Sequence, residues 1–366
     1  MSVFIHDIAT SVPRFSSDQQ HIREVMKKYV GADRKTQAII HRIYTQSGIS
    51  KRHSVIEDFT PNGNGSLFFN GQIKQQPGTA TRNKVYAREA KELFVDTARK
   101  LTADNPHFSS DEITHVITVS CTGFYAPGPD YDIVKALNLK PSTQRFHVGF
   151  MGCYAAFPAM KMAQSFCTSD PNAVVLLVSA ELCTLHFQFK NDVDNLLSGS
   201  VFADGAAGML ISSKKPKTKA FKINGFVSSL ASNGEKDMAW TIGDTGFDMV
   251  LSTYVPDIIR DNLDTAIQPL FKQYQLAKQD INHWAIHPGG RSILDKIEQS
   301  QKLNPEMLTA SRTTLANYGN MSSATILFVL KKLLENSPEP GQNILSMAFG
   351  PGLTIESGLL SIYQPN

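Results

Sequence analysis

The 366-residue chain is 42% apolar and 19% charged, the profile of a globular protein with a core large enough for two ordinary domains or one double domain. Lys and Arg total 36 against 33 Asp and Glu, and a net charge of +3 argues against nucleic-acid or membrane-surface partners. The four cysteines, Cys121, Cys153, Cys167 and Cys183, form no CxxC pair and have no histidine cluster beside them. That argues against a zinc centre and a disulfide framework, and predicts reduced thiols in a cytoplasmic protein.

The opening MSVFIHDIATSVPRF predicts a short apolar strand at 3–8 and lacks the basic leader and long apolar run of a signal peptide. No run approaches the roughly 18 apolar residues of a membrane span. Apolar residues at helical spacing predict helices within 18–47 and 84–103, on either side of a Gly-, Asn- and Gln-rich loop at 61–81. Further on, short apolar runs predict buried strands at 116–119, 173–179, 208–212, 284–287, 344–348 and 354–363. Helical segments are expected over 152–168, 248–275 and 321–336. Strands alternating with helices predict an α/β fold with central sheets.

An internal repeat sharpens the picture. DEITHVITV at 111–119 faintly resembles QDINHWAIH at 279–287, position by position. At nearly equal distances downstream come Cys153 and Asn320, each opening a small-residue helix, CYAAFPAM and NMSSATIL. A buried strand follows each, VVLLVSAELC and NILSMAFGPG. Two related βαβ halves, 1–214 with Cys153 and 215–366 with His287 and Asn320, would bring both helix starts near a common axis.

Cys153 sits in VGFMGCYAAFPAMKMA, a strand–turn–helix pattern that puts the thiol at a helix N-terminus. Unpaired N–H groups and the positive dipole end favour a thiolate there. His287, in HWAIHPGGRS, ends an apolar strand before a Pro-Gly-Gly turn, where Gly289 and Gly290 let a ligand approach the backbone. Asn320, in NYGNMSSA, stands at another turn into a helix, where Asn is also a frequent cap. Any one of the three has a plain structural reading, as a core thiol, a satisfied core histidine or a cap. Together they suit decarboxylative Claisen condensation. The cysteine takes an acyl group from a thioester, and His and Asn stabilise the malonyl-derived enolate as carbon dioxide leaves. That chemistry requires no metal and no dissociable redox cofactor.

The segments SCTGFYAPGPDY, FMGCYAAF, VSAELC, VFADGAAGML, AIHPGGRSILD, YGNMSSA and FGPGLTIE carry a resemblance to the type III polyketide synthases, the chalcone synthase superfamily. The resemblance implies a five-layered αβαβα thiolase fold and a tight homodimer. It implies an acyl-CoA starter, extension by malonyl-CoA and cyclisation in one active site, with coenzyme A thioesters as substrates and no cofactor. The family's catalytic residues fall on Cys153, His287 and Asn320, and its gatekeeping phenylalanines on Phe202 and Phe247. Thr122 and Ser322 join the implied cavity, and Phe349, Gly350 and Pro351 shape its floor. Cys121, Cys183 and His186 stand where plant members carry threonines, and Ala126 replaces a methionine that reaches across the dimer. The small Ala126 points to a long or bulky starter such as a fatty acyl chain. Arg42 matches a residue that meets coenzyme A phosphates. A second basic residue expected near Gln46 is missing, for which Lys51 or Arg291 substitutes beside Gly289 and Gly290. Two other readings stay open. A priming-type ketoacyl synthase making one condensation is opposed by HPGG and FGPGLTIE, and a non-catalytic thiolase-fold partner by the retained Cys, His and Asn. Pyrone, resorcinol and phloroglucinol products are all compatible with the motifs.

Overall fold

In the computed structural model, which describes all residues except 62, 64–66, 71–72, 104, 233, 337–338 and 366, a nine-stranded mixed sheet runs through both halves of the chain. His115–Ser120 lies parallel to Val174–Leu182, which pairs antiparallel with Asp204–Ser212, and that in turn with Val3–Ser11. Ile281–Ile286 lies parallel to Asn343–Gly350, which pairs antiparallel with Thr354–Tyr363, and that in turn with Ala220–Leu230. The two sets have the same order and the same polarities, which is the repeat read in the sequence. They join where Val3–Ser11 meets Ala220–Leu230 antiparallel, and Gln144–Gly149 adds one strand beside His115–Ser120.

Side-chain alternation along the strands divides the interior into layers. Val175 and Leu177 face a central core with Ala207, Met209 and Ile211, shared by the helices Ala156–Ser169 and Thr325–Glu335. Val174, Leu176 and Val178 face the opposite way, onto the long helix Thr79–Thr102. In the second half Leu345, Met347 and Phe349 likewise face the outer helices Val255–Tyr274 and Arg291–Gln301. Helix, sheet, paired helices, sheet, helix are the five layers of the αβαβα arrangement. Among the described residues no helix is long and apolar enough to cross a membrane.

Several elements depart from expectation. The 18–47 stretch is two helices, Gln19–Tyr29 and Arg34–Gln46, because the Asp33 carboxylate caps a fresh start by accepting from the Thr36 N–H at 2.8 Å. The expected loop at 61–81 lies partly outside the described residues. Its remainder holds the short pair Phe69–Asn70 and Ile73–Lys74 and the start of the helix at Thr79. The helix expected over 248–275 begins only at Val255, with Pro256 in its first turn. Before it, Met238–Gly243 and Gly246–Leu251 form a hairpin closed on Asp244 and Thr245, with Gly246 at φ +107°. Helix Ala156–Ser169 starts after Cys153, and Thr325–Glu335 starts after a single turn, Ser322–Ala324.

Candidate active site

A cavity of ≈ 310 Å³ lies between the halves and is lined by Cys153, His287, Asn320 and Ser322 together. Each arrives by a different route. Cys153 follows Gly152, whose φ of +81° suits a residue without a Cβ. A Cβ there would fall on the Pro351 ring, so the two turns pack together only because position 152 is glycine. The Gly152 N–H donates to the Cys121 sulfur at 3.0 Å, tying the turn to the end of strand His115–Ser120. His287 stands one residue beyond strand Ile281–Ile286, its N–H donating to Met347 O at 2.8 Å. Asn320 is stitched to the first half by its main chain: its N–H donates to Val201 O at 2.8 Å, and its carbonyl accepts from Ala203 N–H at 2.9 Å.

The side-chain amide of Asn320 has a fixed orientation. Its Oδ1 accepts from Ser322 N–H at 2.9 Å and its Nδ2 donates to Gly289 O at 3.1 Å. One amide hydrogen of Asn320 remains for a group in the cavity, and the Asn320 and Ser322 side chains both lower the pKa of the Cys153 thiol. Ser322 itself sits at φ +45°, a left-handed conformation held by that Asn320 bond. His287 is 1% exposed, yet neither ring nitrogen has a partner among the described residues. A buried imidazole whose two nitrogens make no hydrogen bond within the described residues keeps both free to donate or accept in the cavity it lines.

Burial dominates the electrostatics. It pushes the Cys153 thiol up to about 12, while the Ser322 and Asn320 hydrogen bonds pull it down. Burial draws His287 down to about 3. The expected lowering of Cys153 by a helix N-terminus is therefore outweighed. The cysteine lies in the turn three residues before the first helical position, Ala156, and has left water.

Beneath the site is a carboxylate the sequence reading passed over. Glu181 is fully buried in strand Val174–Leu182. Its Oε2 accepts from Cys121 N–H and Thr122 Oγ1, both at 2.9 Å, and its Oε1 from the Ser323 hydroxyl. Burial raises its carboxyl above the ordinary range, against those bonds. The signal was available: an acidic residue inside the apolar run VVLLVSAELC.

Of the other expected cavity residues, Cys121, Thr122, Cys183, Phe202, Phe349, Pro351, Gly289 and Gly290 line the same cavity. Gly350 does not, but a Cβ on it would strike the Tyr154 ring beside the Cys153 turn. Phe247 and His186 line a smaller chamber of ≈ 60 Å³ that adjoins the first. His186 offers no polar atom to a substrate, because Nε2 bonds Thr122 O at 2.8 Å and Nδ1 accepts from Phe247 N–H at 2.9 Å. Ala126 is exposed and outside both linings, so it gives neither cavity room within one chain. Arg42, Lys51 and Arg291 are exposed and line neither cavity. Lys296, paired with Asp257 at 2.8 Å, lines the larger cavity and Arg52 the smaller chamber, and the sequence reading missed both.

Comparison with known proteins shows the family of the chain. The profile of the chalcone and stilbene synthase N-terminal domain matches residues 2–215, and that of the C-terminal domain residues 223–363. The alpha-pyrone synthesis polyketide synthase-like Pks18 of Mycobacterium tuberculosis is 29% identical over 98% of this chain and 91% of its own length. The solved structure of PKS-I from the brown alga Ectocarpus siliculosus superposes with a TM-score of 0.92 at 28% identity, covering 100% of this chain and 98% of that one. The 1,3,6,8-tetrahydroxynaphthalene synthase of Streptomyces coelicolor, a bacterial type III polyketide synthase, superposes at 0.88 with 27% identity over 100% of both chains. The chain belongs to the chalcone and stilbene synthase family.

Proposed function

We propose that this chain is a type III polyketide synthase. It loads an acyl group from a coenzyme A thioester onto Cys153, extends it with malonyl-CoA by repeated decarboxylative condensation, and releases a cyclised product. One observation carries the reading: the unpartnered imidazole of His287 is buried in the cavity that Cys153 and the oriented amide of Asn320 also line.

In loading, the Cys153 sulfur attacks the thioester carbonyl, its proton passes to His287, and coenzyme A leaves as the thiol with that proton. Ionising either residue alone is opposed by burial, as the shifts of Cys153 to about 12 and His287 to about 3 record. Moving the proton from one to the other creates opposite charges together, and each offsets the desolvation of the other. In extension, the bond to the malonyl carboxylate breaks, carbon dioxide leaves, and the electron pair becomes an enolate. An imidazole N–H of His287 and the remaining amide N–H of Asn320 hold its oxygen. The enolate carbon attacks the acyl-cysteine, and the Cys153 thiolate departs to be reloaded.

Apolar walls at Leu197, Val201, Met238, Met249, Leu251 and Ile293 suit an aliphatic starter, and a fatty acyl-CoA is the proposed substrate class. Closure through oxygen gives a pyrone, the product class named for the mycobacterial relative, and closure through carbon gives a resorcinol or phloroglucinol ring. Lys296 at the cavity wall joins Arg42, Lys51 and Arg291 as the groups proposed to meet the coenzyme A phosphates. A homodimer with the Ala126 loop at its seam completes the proposal.

The test is incubation with malonyl-CoA and a panel of acyl-CoA starters, without carrier protein, followed by mass analysis. Triketides or tetraketides are expected. Products that stop at one condensation would replace this reading with the priming-type ketoacyl synthase.

A further inference from the structure

The hairpin Met238–Gly243 and Gly246–Leu251 closes one side of the catalytic cavity. Its register pairs Met238 with Leu251, Trp240 with Met249 and Ile242 with Phe247, so these six side chains share a face. Met238, Trp240, Met249 and Leu251 line the catalytic cavity. Trp240, Phe247 and Met249 line the chamber behind it, which runs on toward Ile22, Met26 and Phe59. Cys183, Phe202, Trp240 and Met249 line both spaces, and Trp240 is the bulkiest of these boundary residues.

A two-stranded hairpin is at best marginally stable by itself, so its position depends on what holds it. Its turn end is tied to Thr79, whose N–H donates to Asp244 O at 2.8 Å and whose hydroxyl accepts from Gly246 N–H at 2.8 Å. Its inner face is held at two points on the Cys121–Thr122 segment. Trp240 Nε1–H donates to Cys121 O at 2.9 Å. His186 bridges Thr122 O and Phe247 N–H, and because Nδ1 accepts, the proton belongs on Nε2. The His186 ring stacks on Phe247 at 4.1 Å and 14°, and Trp240 meets the two rings edge-on at 5.4 and 5.7 Å. The hydrogen-bonding atoms of both side chains are thus engaged with main chain.

We propose that Trp240 is the specificity-determining partition of this enzyme: it ends the acyl compartment at the boundary with the second chamber and so limits the chain length carried near Cys153. His186 is a positioning residue that holds the hairpin, and through it Trp240, against the catalytic loop. The inference rests on the reading of Cys153 as the acyl acceptor. Removing the indole joins the two spaces and opens the path toward Ile22 and Met26.

The experiment compares hexanoyl-, decanoyl- and tetradecanoyl-CoA, each with malonyl-CoA, in the native protein, Trp240→Ala and Trp240→Phe. Native turnover of any starter into polyketide tests the underlying reading separately; its failure there would sink that reading. Given native turnover, Trp240→Ala should raise kcat/KM for tetradecanoyl- relative to hexanoyl-CoA by about tenfold or more, the scale of added methylenes entering an apolar pocket. Trp240→Phe, which keeps an aromatic wall, should move the ratio far less. Equal slowing of all three starters in Trp240→Ala would overturn the proposal and leave Trp240 a purely structural residue. A binding readout covers the case of a poorly folding alanine variant. In a Cys153→Ala background, whichever of the three thioesters the native protein turns over best should change the Trp240 fluorescence saturably, with Trp240→Phe as the blank for the buried Trp284. No change would also overturn it.

Discussion

Asn320 donates its side-chain N–H to the carbonyl of Gly289 at 3.1 Å, across the turn that follows His287. The bond joins two loops of the second half at the point where they meet Cys153 of the first. Because Oδ1 is already held by Ser322 N–H at 2.9 Å, the amide cannot flip without losing two bonds. Asn320→Asp puts an acceptor against the Gly289 carbonyl and removes the donor proposed for the enolate. Malonyl-CoA decarboxylation should fall by about 10²–10³-fold, the range for losing one oxyanion donor. Asn320→Ala should show a similar loss while the main-chain bonds to Val201 and Ala203 keep the fold. Release of carbon dioxide from malonyl-CoA is the measurement, with a urea melt as the control. Near-native decarboxylation in both variants would remove Asn320 from the enolate site.

The opposed shifts of Cys153 and His287 predict two pH dependences. His287→Ala leaves burial to act on the thiol without a proton acceptor, with the thiol pushed up to about 12. Iodoacetamide labelling of Cys153 in that variant should climb about tenfold per pH unit past about pH 9 without a plateau, while the native protein reacts at lower pH. Coinciding profiles would rule out proton transfer to His287. Stability has its own window. A folded-state His287 near 3 against an ordinary value of about 6.5 means the unfolded chain binds an extra proton between them. That contribution is complete above about pH 6.5 and is lost as pH falls toward 3, by up to about 1.4 kcal/mol per unit. His186, drawn down to about 3 by burial, acts in the same direction. Urea midpoints should therefore fall from about pH 7 to about pH 4, more gently in His287→Ala.

What could be read in the sequence divides along physical lines. The buried strands were legible because each is a continuous apolar run, as in Val174–Leu182, where even Glu181 interrupts only one position. The hairpin at 238–251 was not. Its strands are six residues each, its outer face carries Thr241 and Asp248, and the strong helical signal of Val255–Tyr274 ran back over it. Setting and motif singled out Cys153, His287 and Asn320, and the fold brings the three to one cavity. Which way Phe247 and His186 face was not, since their partners Thr122 and Trp240 are brought up by tertiary folding. Glu181 stood out as a lone charge, but its donors come from residues 120–122 and 323, far along the chain. Exposed lysines and arginines carry no periodic mark, so Lys296 could not be told from Lys51.

Glu181 is the acceptor for a ring of donors under the catalytic turn, so Glu181→Gln tests a hydrogen-bond pattern at nearly constant volume. A glutamine amide has one oxygen, so its NH2 would face hydrogens from Cys121, Thr122 or Ser323. At least one donor is left unpaired in a dry site, at a cost of about 1–3 kcal/mol. Urea unfolding should show a loss of that size. A variant as stable as the native protein would mean that the carboxyl is already protonated and donating.

Gly152→Ala asks whether the site depends on one missing methyl group. The position has φ +81°, where a Cβ costs about 1–2 kcal/mol, and that Cβ would lie on the Pro351 ring. Pro351 belongs to the turn behind Phe349, which lines the cavity, so it has little room to withdraw. The relief available is displacement of the Cys153 turn, and it would stretch the 3.0 Å bond from Gly152 N–H to the Cys121 sulfur. A shift of about 1 Å at a reacting group costs roughly 10²-fold in rate. Condensation should fall by at least that factor while the variant still binds coenzyme A thioesters, because Gly289, Gly290 and Lys296, the residues proposed to meet coenzyme A, belong to other segments of the cavity lining than the Cys153 turn. Steady-state kinetics beside acyl-CoA binding by calorimetry separates the two effects. Loss of binding in step with turnover would place the damage in the whole cavity rather than at the cysteine.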